Sequence, residues 1–327
     1  MSYIDVSHIN KTFKVAKRSS GLKAALKSFF RKNYIYIDAV KDISFQIEKG
    51  EIVGYIGPNG AGKSTTIKML SGILQPDSGT IKIDKMIPFK NREKYVRNIG
   101  VVFGQRSQLW WDIPAEETFD LLKEIYKLDD EEYQKTKDEL VRMLDIKDII
   151  QIPVRQLSLG QRMRCEIAAS LLHKPSILFL DEPTIGLDAI SKETVRDFIK
   201  NLNKKYKTTV ILTTHDMSDI EALAKRIILI GKGKILYDGT LKKLKNEFGN
   251  CKRVIIETKD KLNMVKKQGV EKQTKNELGY EFIIDVNKIT ISEFLKQLGS
   301  KIDITDVEIE NENIDNTIIK LYRNFNI

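Results

Sequence analysis

Residues 52–65 read Ile52-Val-Gly-Tyr-Ile-Gly57-Pro-Asn-Gly60-Ala-Gly62-Lys63-Ser64-Thr65, and Thr66-Ile-Lys-Met-Leu follows. This is an apolar strand, a glycine-rich loop of the pattern GxxxxGKS and the start of a helix. Glycines let backbone amides turn toward phosphate groups, and a helix N-terminus adds positive charge. We therefore predict a nucleoside triphosphate site, with Lys63 on the β and γ oxygens and Ser64 as a ligand of Mg²⁺. The predicted phosphate-binding residues are Gly57, Pro58, Asn59, Gly60, Ala61, Gly62, Lys63, Ser64 and Thr65.

Two further apolar strands end in polar side chains that suit phosphate chemistry. Ser176-Ile-Leu-Phe-Leu180 runs into Asp181 and Glu182, and Val210-Ile-Leu-Thr-Thr runs into His215. Carboxyl ends of parallel strands meet at one edge of a sheet, where α/β folds bind ligands. Asp181 is suited to hold Mg²⁺ through water, and Glu182 can accept a proton from an attacking water. His215 could bind the γ-phosphate, although the residues alone leave a purely structural role equally open.

A second helix start that could bind an anion is Leu157-Ser158-Leu159-Gly160-Gln161, which opens the run Arg162-Met-Arg-Cys-Glu-Ile-Ala-Ala-Ser-Leu-Leu. Ser158 stands near the expected N-cap, and helix N-termini attract phosphate. Most sequences of this kind only cap a helix. The segment by itself therefore predicts no function.

Composition and charge restrict the class of protein. The 327 residues are 41% hydrophobic and 31% charged, as in ordinary globular proteins, and no apolar run is long enough to cross a bilayer. If the chain takes part in transport, another chain supplies the pore. The two cysteines, Cys165 and Cys251, are too few for a disulfide framework and indicate a reducing cytoplasm. The net charge of +10 suits nucleic acid or an anionic membrane surface, but by itself carries little weight.

The periodicity of apolar residues divides the chain into two domains. Strand and helix patterns alternate over residues 1–245, which predicts an α/β domain with a mainly parallel sheet. Within it we predict a helical subdomain at about 105–170 and a basic insertion at about 14–35 that contains a short amphipathic helix. Residues 246–327 have a different pattern and predict a small α+β domain.

Six motifs succeed one another in the order GPNGAGKST, Gln105 in VVFGQ, LSLGQ, ILFLDEP, Gly186-Leu187-Asp188 and TTHD. In this order, over residues 1–245, the chain resembles the ATP-binding cassette (ABC) family. The strings LSLGQRMRCE and GQRSQLWWD further resemble cassettes of bacterial exporters of the antibiotic, viologen and sodium-efflux type. The resemblance implies a P-loop NTPase fold of the ABC type, with a mainly parallel core sheet, an antiparallel β subdomain and an inserted helical subdomain.

The resemblance also implies an ATPase with ATP and Mg²⁺ as cofactors. It implies that Gln105 completes the Mg²⁺ shell beside Ser64 and Asp181, that Glu182 is the general base and that His215 is the switch histidine. The resemblance implies that Ser158 and Gly160 contact the γ-phosphate and that Asp188 contacts the opposite subunit. The signature motif that contains the first two is Leu157, Ser158, Leu159, Gly160 and Gln161. Leu159 stands where the family usually has glycine, and we expect the phosphate contact to survive because Ser158 and Gly160 are kept.

The implied partners are a second nucleotide-binding subunit, in a head-to-tail homodimer, and a separately encoded transmembrane permease. This would place the chain in the cytoplasm on the inner face of the membrane, with no nucleic-acid partner. The alternative is a soluble ABC ATPase that acts in translation or nucleic-acid handling. The presence of one cassette rather than two, without a long coiled-coil insertion, favours the transporter.

Three features leave alternatives open. The resemblance implies an aromatic ring that stacks on adenine, either Phe13 or Tyr34, and we favour Phe13 because it follows the first strand as the family's aromatic residue usually does. Trp110 and Trp111 could contact the permease or could pack between the subdomains. The basic segment could bind anionic lipid headgroups or pack on its own cassette, and the second is commoner.

Overall fold

The computed structural model describes residues 2–16, 34–104, 106–249, 251–263, 265, 268–311 and 314–325. Most of the basic insertion and Gln105 therefore lie outside the described residues. The chain forms two compact units, Met1–Gly239 and Thr240–Ile327. This division lies slightly before the expected boundary at 245/246, because the helix Leu241–Phe248 packs against the last helix of the chain, Ile314–Asn324.

Nine strands form the two sheets of the first unit. They are β1 (Ile4–Ala16), β2 (Tyr34–Ile47), β3 (Ile52–Ile56), β4 (Ser78–Ile83), β5 (Ile99–Phe103), β6 (Ile177–Asp181), β7 (Thr209–Thr214), β8 (Arg226–Gly231) and β9 (Lys234–Thr240). Its helices are Lys63–Leu70, Arg92–Val96, Ala115–Tyr126, Asp130–Met143, Leu159–Leu171, Ala189–Tyr206 and Met217–Leu223, with a short 3-10 turn at Val154–Gln156.

The core sheet has the order β5-β6-β7-β3-β8-β9, and its first four pairings are parallel. Strands β6 and β7 are buried along almost their whole length, as expected for parallel strands covered on both faces. In register, Asp181 lies between Phe103 and Thr213, and Ile56 lies beside Thr214. The predicted site residues therefore start from the same edge of the sheet.

The antiparallel sheet has the order β2-β1-β4 and contributes to the same hydrophobic core. Strands β1 and β2 form a long ribbon in which Phe13 pairs with Ile37 and Ala16 pairs with Tyr34. The ribbon ends at the edges of the basic insertion.

The expected helical subdomain lies between β5 and β6. Its helices Ala115–Tyr126 and Asp130–Met143 bury Phe119, Tyr133 and Leu140. The helix Leu159–Leu171, here called the signature helix, is buried along most of its length.

The second unit is a small α+β domain. Four antiparallel strands, in the order β11-β12-β10-β13, carry a core that includes Val254, Phe282 and Phe294. These strands are β10 (Cys251–Glu257), β11 (Val270–Lys275), β12 (Gly279–Asp285) and β13 (Asp306–Asn311), and a helix at Ile291–Gly299 precedes β13. The sequence does not predict β11, because this edge strand reads Val-Glu-Lys-Gln-Thr-Lys and contains one apolar residue.

Within the described residues, no helix combines the length and the apolar character that a membrane span requires.

Candidate active site

One cleft of about 940 Å³ lies at the carboxyl edge of the core sheet. It brings together predicted site residues from four separate stretches of sequence. These are Phe13, then Pro58, Asn59, Gly60, Gly62, Lys63, Ser64 and Thr65, then Asp181 and Glu182, then His215. The residues expected to bind phosphate, to hold Mg²⁺ and to activate water therefore line the same cleft.

The glycine-rich loop has the backbone that its sequence requires. Gly62 has φ 107°, and a side chain there would collide with the carbonyl oxygen of Ala39. Gly60 has φ 79° and open space beside it. A residue with a Cβ atom would be strained at either position.

Lys63 is held against the loop that precedes it. Its Nζ donates to the carbonyl oxygens of Gly57 (2.6 Å) and Pro58 (3.3 Å), and the side chain is buried. Burial lowers the pKa of Lys63, and the nearby carboxylates of Glu182 and Asp181 oppose this shift. The Lys63 ammonium group therefore lies at the loop, where phosphate oxygens of a bound nucleotide can replace the carbonyl oxygens of Gly57 and Pro58 as its partners.

The two adjacent acids are held differently. The Asp181 carboxylate accepts a hydrogen bond of 2.5 Å from the Thr213 hydroxyl on the neighbouring strand. The Glu182 backbone has φ 56°, in the left-handed region, and its N–H donates to the Thr213 carbonyl oxygen (2.9 Å). Such a conformation costs about 1–3 kcal/mol and is concentrated at functional sites.

His215 faces Glu182 across the end of the sheet. Its Nδ1 atom lies 3.5 Å from a Glu182 carboxylate oxygen, and its side chain is 59% exposed. A histidine that served only to pack the core would be buried. The open side of this ring is therefore available to a ligand in the cleft.

Comparison with known proteins assigns the family. Residues 40–185 match the ABC transporter domain family. The linearmycin resistance ATP-binding protein LnrL of Bacillus subtilis is 36% identical over 219 residues, which cover 67% of this chain and 70% of LnrL. The chain belongs to the ABC transporter ATP-binding family. It is accordingly an ATPase and an ATP-binding subunit of a transporter, which confirms the family and the reaction expected from the motifs.

Two further relatives extend the comparison. The methionine import ATP-binding protein MetN of Lactobacillus acidophilus is 29% identical over 320 residues, covering 92% of this chain and 90% of MetN. The solved dimeric structure of a bacterial ABC transporter cassette is 28% identical with a TM-score of 0.62, covering 73% of this chain and 98% of that chain. These likenesses confirm the expected cassette fold.

The signature segment lies elsewhere on the cassette. Among the described residues that line the nucleotide cleft, none belongs to 157–161. Ser158 is the N-cap of the signature helix and forms a capping box with Gln161, with bonds of 3.2 and 2.8 Å. The capping role expected of such a sequence is therefore present within this chain.

Gly160 and Asp188 are neighbours beside the signature. A side chain at Gly160 would collide with the Ser191 hydroxyl, and the Asp188 carboxylate lies just beyond it. Asp188 caps the helix Ala189–Tyr206 by accepting from the Ser191 N–H (2.9 Å) and hydroxyl (2.8 Å), and these bonds lower its pKa. Asp188 thus has a structural role in its own subunit.

Phe13 and Tyr34 are separated by the structure. Phe13 lines the nucleotide cleft, whereas Tyr34 does not. Tyr34 pairs instead with Ala16 at the far end of the ribbon, where the Lys14 ammonium lies 3.9 Å from the centre of its ring. This placement favours Phe13 as the aromatic residue beside the nucleotide.

Trp110 and Trp111 are 59% and 50% exposed. The alternative that both pack between the subdomains is therefore wrong. The segment is held instead through its backbone, because the Trp110 N–H donates to the Thr118 hydroxyl (3.3 Å) and the Trp111 carbonyl accepts from the Arg155 N–H (3.0 Å). The Arg162 guanidinium lies 5.3 Å from the centre of the Trp111 ring, and both tryptophans remain partly accessible.

Several cleft residues were missed by sequence reasoning. Lys68 and Arg106 bring additional positive charge to the cleft, and Ala39, Ile73 and Ile185 contribute contact surface. Lys68 lies in the helix after the phosphate loop, and Arg106 adjoins Gln105 in the sequence. Their closeness in sequence to these motifs was the signal that could have identified them. It is a weak signal, because most surface lysine and arginine side chains only contact water.

The donor set fits Mg²⁺. Ser64 and Asp181 line the same cleft, and they offer one hydroxyl and one carboxylate oxygen. Mg²⁺ typically keeps several waters and binds through one or two carboxylates plus substrate phosphates. Among the described residues, no group of three or more histidine, cysteine or acidic side chains is arranged so that it could hold a metal ion.

Proposed function

We propose that this ABC ATPase drives export through a separately encoded transmembrane permease. The observation that carries the proposal is the single cleft in which the phosphate loop, Asp181, Glu182 and His215 meet. Export is supported by the likeness to LnrL, a resistance protein by its name, which exceeds the likeness to the import protein MetN in identity. The motif LSLGQRMRCE favours the same class of exporter.

The residues of the cleft divide the chemistry among them. Lys63 and the loop amides bind the β- and γ-phosphates and offset their charge. Glu182 accepts a proton from the attacking water, and His215 positions that water and the γ-phosphate. The Thr213 hydroxyl keeps Asp181 oriented toward the cleft. When bound, Mg²⁺ would be held by Ser64, Asp181 and Gln105 and would neutralise phosphate charge.

The second half of each site comes from another copy of the chain. Ser158 and Gly160 begin a helix able to bind phosphate, yet they do not line the cleft of their own cassette. A head-to-tail homodimer places this signature over the nucleotide of the partner and brings Asp188 to the interface. The dimeric form of the similar bacterial cassette supports the arrangement.

The exposed tryptophan pair is the proposed contact with the permease. Trp110 and Trp111 follow Gln105 closely in sequence and present apolar rings to solvent. Exposed aromatic residues are enriched at protein interfaces because they bury a large area with few rotatable bonds. Through this contact the chain is held on the inner face of the membrane.

The test is to co-express the tagged chain with the neighbouring genes and purify it from solubilised membranes. We expect a polytopic protein to co-purify with the wild type and with Tyr206→Ala, a control for an exposed aromatic residue. It should be lost with Trp110→Ala/Trp111→Ala, while ATP binding persists. Recovery of the wild type with ribosomes or nucleic acid alone would refute the transporter partner.

A further inference from the structure

Glu166 is a buried carboxylate outside the nucleotide cleft. It lies on the signature helix, two turns after Ser158, and is only 4% exposed. A buried charge is costly unless hydrogen bonds compensate for it. Its partners therefore show what this residue holds in place.

Those partners lie in the segment 107–108. The Ser107 hydroxyl donates to one carboxylate oxygen of Glu166, and the Gln108 N–H donates to the other (3.2 Å). The Gln108 side-chain amide also donates a hydrogen bond of 3.0 Å to the Glu166 backbone carbonyl oxygen. A glutamate side chain has two carboxyl oxygens, so it can accept from both donors at once.

A second contact comes from the same face of the signature helix. Arg162 precedes Glu166 by four residues, and its guanidinium lies 5.3 Å from the centre of the Trp111 ring. Residues four apart share a helix face, so the helix holds the segment 107–111 near both of its ends. This segment directly follows Arg106, which lines the nucleotide cleft.

We propose that Glu166 is a positioning residue that makes the signature helix and the segment 107–111 move as one body. A change in the cleft that displaces Arg106 would then displace Ser158, and a displacement of Trp110 and Trp111 would displace both Arg106 and Ser158. The consequence for coupling to a permease rests on the proposed function. The link itself is a property of this chain and can be measured without a permease.

The sequence supplies a local reporter for this link. Trp110 and Trp111 are the two tryptophans of the whole chain, so intrinsic tryptophan fluorescence reports this segment alone. A Glu182→Gln parent is used so that bound ATP is not hydrolysed during the measurement. Nucleotide affinity and the thermal unfolding midpoint are recorded in parallel.

We expect ATP to change tryptophan emission in the parent and in the parent carrying Glu117→Gln, an exposed glutamate in the same subdomain. The change should be lost with Glu166→Gln, because the amide keeps one acceptor oxygen and cannot accept from both Ser107 and Gln108. Ser107→Ala removes the exposed hydroxyl that donates to Glu166, so it should also abolish the ATP-dependent emission change. The double variant Ser107→Ala/Glu166→Gln should behave like either single variant, since both substitutions break the same interaction.

In the catalytically competent chain, Glu166→Gln should lower kcat counted per titrated ATP-binding site, with an unchanged KM; a residue that only stabilises the fold would lower the number of ATP-binding sites and leave kcat per site unchanged. The proposal is overturned if the ATP-dependent emission change persists in Glu166→Gln and Ser107→Ala, or if the folded parent binds ATP without any emission change. Failure of the permease to co-purify would instead count against the proposed function and leave this result intact.

Discussion

Backbone strain at Glu182 links the local structure of the cassette to its chemistry. The residue adopts φ 56° at the point where β6 ends, and two hydrogen bonds from its N–H to Thr213 hold the turn. This turn aims the Glu182 carboxylate toward His215, while Asp181 stays bonded to the Thr213 hydroxyl. A single threonine thus orients both acids.

Phe13 gives a prediction for nucleotide affinity. Phe13→Ala should weaken ATP binding by about 1–3 kcal/mol, or roughly five- to 150-fold, because it removes a stacking ring from the cleft. Tyr34→Ala should leave affinity unchanged. Titration of both variants with ATP checks this, and a larger loss for Tyr34→Ala would assign the stacking to the other ring.

His173 predicts the pH dependence of stability. It stacks on Tyr126, with ring centres 4.0 Å apart, and one ring nitrogen bonds the Ile99 carbonyl oxygen (2.9 Å). Burial lowers the pKa of His173 to about 4, although the bond to Ile99 opposes the shift. The unfolded chain takes up this proton near pH 6.5, so the folded state loses stability as the pH falls from there toward 4.

The decrease in the free energy of unfolding caused by His173 should reach about 3 kcal/mol near pH 4. His173→Phe keeps an aromatic ring beside Tyr126 but cannot titrate. Its free energy of unfolding should therefore fall less between pH 6.5 and 4 than that of the wild type. Denaturant unfolding at several pH values measures the difference, and parallel curves for the two proteins would contradict the assignment.

At the scale of elements, the N-terminus of the signature helix has one observed role and one proposed role. Ser158 caps the helix in its own chain, and the proposed dimer would place the same hydroxyl on the phosphate of the partner. The sequence of a capping motif does not indicate whether its serine only caps the helix or also binds phosphate. The order of the motifs identified the segment, whereas its separation from the cleft of the same chain became visible only in the fold.

The two roles of Ser158 can be separated with a pair of substitutions. Ser158→Ala should cost about 1 kcal/mol of stability, and Ser158→Gly only a few tenths, because glycine is tolerated at an N-cap. Both remove the hydroxyl, so both should abolish most ATPase activity while monomeric ATP binding persists. If Ser158→Gly keeps full activity, the hydroxyl acts only as a cap.

At the scale of the whole molecule, the chain consists of two units with separate cores. The core of the first unit includes Tyr55 and Phe179, and that of the second includes Val254 and Phe282. A fragment of residues 240–327 should therefore fold alone and unfold cooperatively. Circular dichroism with thermal unfolding tests this, and a disordered fragment would show that the second unit depends on the first.

The meeting of four predicted residues in one cleft was predictable because they stand at or beyond the ends of apolar strands. Lys63, Asp181, Glu182 and His215 follow β3, β6 and β7, and parallel strands bring such positions together. The strand β11 and the exposure of Trp110 were not predictable in this way. The first depends on pairing with β12 along an edge, and the second depends on which neighbours the tertiary fold provides.

The central claim is that the cleft hydrolyses ATP with Glu182 as the base. The most direct measurement is the ATPase rate of the purified chain, of Glu182→Gln and of Glu193→Gln, an exposed glutamate changed in the same way. We predict a loss of about 10²- to 10⁴-fold in Glu182→Gln, with ATP still bound and with Glu193→Gln at the wild-type rate. A wild-type rate in Glu182→Gln would contradict the account.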